Sequence, residues 1–183
     1  MQLRSVLKIG LTLLGLVIFL FIYTLLSKRL LPGEAPPMQP VQDQAVSILV
    51  HKAERKMWLI GTNGPLREYP ISLGANPQGH KQKEGDERTP EGHYVIDWRN
   101  DHSAAHLSLH ISYPNQGDLQ LAQQLGVKPG GNIMIHGLTN GWGALGNLHR
   151  LYDWTNGCIA VSNSEMEEIW SLVPNGTPID IQP

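Results

Sequence analysis

Beyond Ala45 the chain predicts a mainly-β domain, a β-barrel or sandwich with short helices, and one transmembrane helix ahead of it. Three observations carry this. Apolar residues recur with a period of two in short runs, each run is bounded by Gly, Pro or Asn, and only two segments keep a helical period. Many short strands with two small helices bury a core most simply as a barrel or sandwich. The chain's 183 residues suffice for one globular domain and not for two ordinary ones.

In chain order, residues 1–8 form a short basic stub. Ile9 to Leu26 is an uncharged apolar run, roughly 27 Å long as a helix and close to the thickness of a bilayer core. Arg4 and Lys8 precede it and Lys28 and Arg29 follow, with no good cleavage site, so it reads as an uncleaved signal anchor. Residues 32–44 hold four prolines and no aromatic residue, and predict an extended stalk. Residues 45–183 form the domain. Ser47–His51 and Lys56–Gly61 predict a hairpin closed by Lys52 to Arg55, followed by strands at Leu66–Leu73, Gly92–Trp98, Leu107–Tyr113, Asn132–His136 and Thr177–Ile181. Asp118–Leu125 predicts a helix N-capped by Asp118, with Gly126 past its end. Asn163–Val173 predicts a second, with Ser162 and Glu165 as a capping box and Pro174 as its stop. Gly74–Pro90 has no period and reads as a long binding loop.

Lys plus Arg number 14 against 16 Asp plus Glu, a formal charge of −2. Four of those cations flank the apolar run, so residues 32–183 carry −6. An acidic body without a basic stripe excludes nucleic acid as a partner. Cys158 is the sole cysteine, which rules out an intrachain disulfide and a four-thiolate zinc site.

The chemistry concentrates in two glycine-flanked mouths. His136 ends the apolar run Asn132-Ile133-Met134-Ile135 and is followed by Gly137; Cys158 follows Thr155-Asn156-Gly157. A thiol that attacks a carbonyl needs a base and backbone N–H groups for the oxyanion, and a glycine beside it permits close approach. His136-Gly137, then Thr155-x-Gly157-Cys158-Ile159, then Asn163 opening a helix, together resemble the catalytic domain of the L,D-transpeptidase (YkuD-like) family of bacterial cell-wall enzymes. The segment from Arg88 to Tyr94 resembles the family's threonine-proline-x-glycine-aromatic element. The resemblance covers residues 45–183.

That resemblance implies an L,D-transpeptidase-like fold and cysteine acyl transfer without metal or organic cofactor. Cys158 would be the nucleophile and His136 the general base and acid. The Gly137 carbonyl would orient His136, and the amide beside Gly157 would help form the oxyanion hole. The substrates would be peptidoglycan stem peptides, which places the domain in the periplasm, anchored in the bacterial inner membrane, with residues 1–8 in the cytoplasm. Thr155, Asn156, His110, Tyr113 and Arg150 are candidates for substrate binding. The chain departs from the family pattern at Asn156, where many members have histidine, and at Ala160, where many have arginine. Arg88, Arg99 or Arg150 would have to supply that charge. Transfer to an amine, hydrolysis of the same bonds or of protein–peptidoglycan links, and a non-catalytic wall-binding module remain as three readings.

His102, His106 and His110 recur every four residues, but their segment alternates as a strand, which argues against a metal face. Trp142, Tyr152 and Trp154 predict a lid over the thiol.

Overall fold

The computed structural model describes residues 10, 12–23 and 34–183, in two compact units divided at Leu31 and Pro32. Residues 12–23 are helical. Among the described residues no helix is long and apolar enough to cross a membrane. The ends of the expected span at 9–26, and the stub at 1–8, lie outside the described residues.

The second unit is built on one eight-stranded sheet: β1 (Ser47–His51), β2 (Lys56–Gly61), β3 (Gly64–Pro70), β4 (Gly92–Ser103), β5 (His106–Ile111), β6 (Met134–His136), β7 (Ile159–Ala160) and β8 (Pro178–Gln182). Their spatial order is β3-β2-β1-β8-β4-β5-β6-β7. The chain leaving β3 bridges β7 through Ser72↔Ala160 and Gly74↔Thr155, so the two edges of the sheet approach each other. Ser47 to His51 alternates half-buried and buried, as a strand with one face on the core does. Ile48, Val50, Met57, Leu59, Ile96, Leu107, Leu109 and Ile135 point inward from their strands into a single core.

Two α-helices follow, α1 (Gln116–Leu125) and α2 (Asn163–Leu172). The N-cap of α1 is Asn115, not Asp118. The Asn115 side chain accepts from the Asp118 N–H, and Asp118 answers from the third position by accepting the Asn115 N–H, a reciprocal capping box. Gly126 ends the helix in the left-handed conformation. In α2 the Ser162–Glu165 box forms as expected, and Met166 and Ile169 are fully buried where the helix packs on β5.

The described part of the proline-rich stretch does not stand free of the domain. The Gln39 N–H donates to the Ser171 carbonyl at 2.8 Å, and Ala35 packs against the core. Proline removes a donor but leaves the neighbouring amides free to bond, so a segment unable to form a strand can still pair with the free carbonyls at the end of α2.

Candidate active site

β6 and β7 run parallel with Ile135 opposite Ile159 and His136 opposite Ala160. Cys158 immediately precedes β7 and is therefore level with Met134. Alternation along each strand puts Cys158, Ala160, Met134 and His136 on one face, opposite the core-facing Ile135 and Ile159. Cys158 and His136 are diagonal neighbours about 8 Å apart at Cα. The register thus brings together two residues separated by 22 positions in the chain.

The His136 imidazole is fixed from behind. Its Nδ1 donates to the Gly137 carbonyl at 2.6 Å, which leaves Nε2 as the basic nitrogen. Asn163, first residue of α2, accepts the Leu138 N–H at 2.8 Å on its side-chain oxygen and so holds the His136–Gly137 turn against the helix. The Trp154 ring meets the imidazole edge-on at 5.8 Å between centroids. Burial holds the imidazole below its ordinary pKa, with the Gly137 contact partly opposing. The same cause pushes the Cys158 thiol above its ordinary value, partly offset by the Met134 backbone and by Lys81. At neutral pH the resting pair is therefore an uncharged thiol and an uncharged imidazole.

Thr155 is buried, and it clasps the nucleophile turn instead of facing substrate. Its hydroxyl accepts from the Gly157 N–H at 3.1 Å and donates to the Cys158 carbonyl at 2.7 Å. Gly157 has φ of 118°, and a Cβ there would lie 2.5 Å from the Arg88 carbonyl oxygen. The close approach that this glycine permits is thus to the chain's own Gly74–Pro90 loop. That loop is a brace: Ala75 N–H donates to the Thr155 carbonyl at 2.9 Å, and Gly74 N–H to the Thr89 hydroxyl at 3.0 Å. Gly157→Ala is expected to destabilise the protein by roughly 1–3 kcal/mol, because the methyl meets both a disfavoured φ and a carbonyl; a thermal melt measures it.

Other expected site residues separate. Asn156 is exposed beside the thiol. His110 lies on the thiol's face of the sheet, two strands away through Met134. Tyr113 does not line a groove: it is 3% exposed and its hydroxyl donates to the Pro129 carbonyl at 3.1 Å. Period two carries the reading of β5 past its end at Ile111, and beyond that point the chain turns Tyr113 inward. Arg150 is not free for a substrate carboxylate, because its guanidinium pairs with Glu165 of α2. Arg99 stacks on Trp170 at 3.9 Å and donates to the Trp170 and Val173 carbonyls. Arg88 has no carboxylate partner among the described residues, but its carbonyl, not its guanidinium, is what abuts Gly157.

Lys81 is a site residue that sequence reading passes over. It is 3% exposed and held by Asp86 at 2.8 Å and by the Lys83 carbonyl, inside the brace loop. Its charge favours the Cys158 thiolate. No sequence signal separates a buried lysine from the solvated lysines around it in Lys81-Gln82-Lys83. Trp142 and Tyr152, expected with Trp154 to form a lid over the thiol, flank a 3₁₀ stretch, Gly143–Leu151, and the cleft that the three aromatics line does not include Cys158. With Trp142 and Trp154 that stretch walls this apolar cleft of about 230 Å³ beside His136. The three regularly spaced histidines diverge: His106 bonds Glu167, His110 bonds Asp97, and His102 is exposed.

A Cys–His pair, with the imidazole oriented by the following carbonyl and the thiol carried on a Gly-Cys turn, has the parts that nucleophilic acyl chemistry requires. A family model for the YkuD L,D-transpeptidase catalytic domain matches residues 45–181, and the chain belongs to that family. Among solved structures, Bd1075 of Bdellovibrio bacteriovorus is 26% identical over 82% of this chain and 52% of its own, with a TM-score of 0.53. The helical cell shape determining protein Pgp2 of Campylobacter jejuni is 23% identical over 86% of this chain and 54% of its own, TM-score 0.58. An L,D-transpeptidase from Mycobacterium smegmatis, 12% identical over 75% and 58%, has a TM-score of 0.50. The chain spans little more than half the length of these structures. Comparison with curated protein sequences gives no match.

Proposed function

We propose that this chain is a cysteine acyltransferase acting on peptidoglycan stem peptides, anchored in the bacterial inner membrane by residues 9–26 with its domain in the periplasm. The β6–β7 register, which sets His136 beside Cys158 on one face, carries the reading; family membership supports the substrate. As Cys158 Sγ attacks the peptide carbonyl, its proton passes to His136 Nε2. The carbonyl π bond opens to an oxyanion held by the Cys158 N–H and a neighbouring amide. Collapse breaks the C–N bond, and the leaving amine takes the proton from His136. An amine or water then attacks the thioester, with His136 again as base, and the thiol is restored.

Ala160 favours hydrolysis as the second reading. It stands level with His136 where many family members carry arginine, and two of the three cations that could replace that arginine are engaged elsewhere, Arg99 with the Trp170 carbonyl and Arg150 with Glu165. Product analysis with a stem tetrapeptide, with and without an added D-amino acid amine, separates the two. An exchanged peptide shows transfer, a shortened one hydrolysis, and an untouched peptide contradicts both.

A further inference from the structure

Among the described residues of the domain, exposed apolar side chains are densest from Trp142 to Tyr152. Trp142, Leu148, Leu151 and Tyr152 are 62, 61, 79 and 69% exposed, and Leu145 joins them at 39%. Local geometry accounts for this. Gly143–Leu151 is two 3₁₀ turns joined at Gly146, whose φ of 48° breaks the helix. Residues three apart eclipse in a 3₁₀ turn, so Trp142 pairs with Leu145, and Leu148 with Leu151, on the outer side. The inner side is taken by His149, which is buried against Ser72, and by Arg150, whose guanidinium pairs with Glu165. Arg150 is the one charged residue in the segment, so the outer surface is apolar and uncharged, with an indole at one end and a phenol at the other. A surface of this kind marks a contact with a membrane or a partner.

The tether decides between them. Arg150 ties the segment to Glu165 in the first turn of α2, and Gln39 of the proline-rich stretch bonds Ser171 near the end of the same helix. Ser171 follows Glu165 by six residues, about 9 Å along the axis. The apolar segment is therefore close to the place where the chain enters the domain. Ala35 packs on the core, and only residues 27–34 stand between it and the apolar run that ends at Leu26. Those nine Cα steps reach at most about 32 Å.

We propose that Trp142–Tyr152 docks onto the surface of the lipid bilayer, with Leu148 and Leu151 entering the acyl boundary and Trp142 and Tyr152 at the level of the headgroups. Rings with one polar edge favour that depth, and an uncharged apolar patch leaves water without burying a charge. Residues 32–183 carry −6, which gives no attraction to anionic lipid, so the contact is apolar and salt does not weaken it. The proposal rests on the reading of residues 9–26 as a membrane anchor. Because the same segment walls the cleft beside His136, docking holds the active site at the membrane surface.

The test uses the full-length Cys158→Ala chain, which has no other thiol, with a single cysteine introduced as Leu148→Cys or, for reference, as Gln124→Cys at an exposed position of α1. Each is labelled with a polarity-sensitive fluorophore and reconstituted into phosphatidylcholine vesicles, with and without a nitroxide lipid. Flotation of the vesicles reports the anchor separately. In floating chains the label at 148 is expected to lose at least about half of its emission to the nitroxide, since a docked segment lies about 5–10 Å into the headgroup boundary; the label at 124 loses little. Leu145→Asp with Leu151→Asp abolishes that loss and leaves flotation unchanged. A chain that does not float overturns the anchor and the docking together. A floating chain whose label at 148 is open to aqueous iodide overturns the docking alone, and so does a label shielded from iodide yet out of reach of the nitroxide, the result of a protein covering the segment.

Discussion

Cys158→Ala is expected to abolish turnover of stem peptides while leaving the melting temperature within about 2 °C of the parent. The structure separates these effects cleanly. The thiol is half-buried, and its hydrogen bond to the Asn132 carbonyl is a long one, 3.6 Å. The turn that carries it is held instead by Thr155 and Gly157, which the substitution leaves untouched. No other cysteine can take over the nucleophile's role. Circular dichroism melts beside a peptide-cleavage assay check both halves. Full activity in the variant would remove the thiol from the mechanism, and loss of the fold would give Cys158 a structural role.

His136→Gln is expected to slow acylation by about 10²- to 10⁴-fold, the usual worth of a positioned general base. The pH profile adds a second signature. Because burial lowers the imidazole's pKa, His136 stays neutral and basic to below its ordinary value of 6.5. The acid limb of kcat/KM therefore falls below pH 6.5, and it disappears in the variant. The alkaline limb belongs to the thiol and lies above its ordinary value of 9.0. The sign for stability follows the acid limb. A histidine whose folded pKa is lowered stabilises fully above its unfolded value, and that contribution fades as pH falls through the folded one. His149, buried beside Trp154 and lowered to about 4 by burial and by Arg150, adds to the same acid weakening between about pH 6.5 and 4.

The strands that build the core were legible because their inner and outer faces differ. β1 and β2 match their expected limits, since each alternates without interruption. β4 runs on to Ser103, beyond the expected end at Trp98, because its two register shifts break the period on which the reading depends. β7 went unread: Ile159 and Ala160 are too few to alternate, and they become a strand only by pairing with β6 on one side and Ser72 on the other. That pairing is the site's central contact, so the sequence identified Cys158 and His136 through their flanking glycines and not through the geometry that joins them. Charge was the least legible property. Arg150 reads as a free cation until its partner Glu165, on a separate element, folds against it.

The central claim, that Cys158 and His136 form an acylating pair, is tested most directly by the intact mass of the full-length protein after incubation with a carbapenem, alongside Cys158→Ala and His136→Gln. The account predicts a single covalent adduct on the parent, none on Cys158→Ala and a much slower one on His136→Gln. An adduct of equal rate on the His136 variant, or one that survives loss of Cys158, would contradict it.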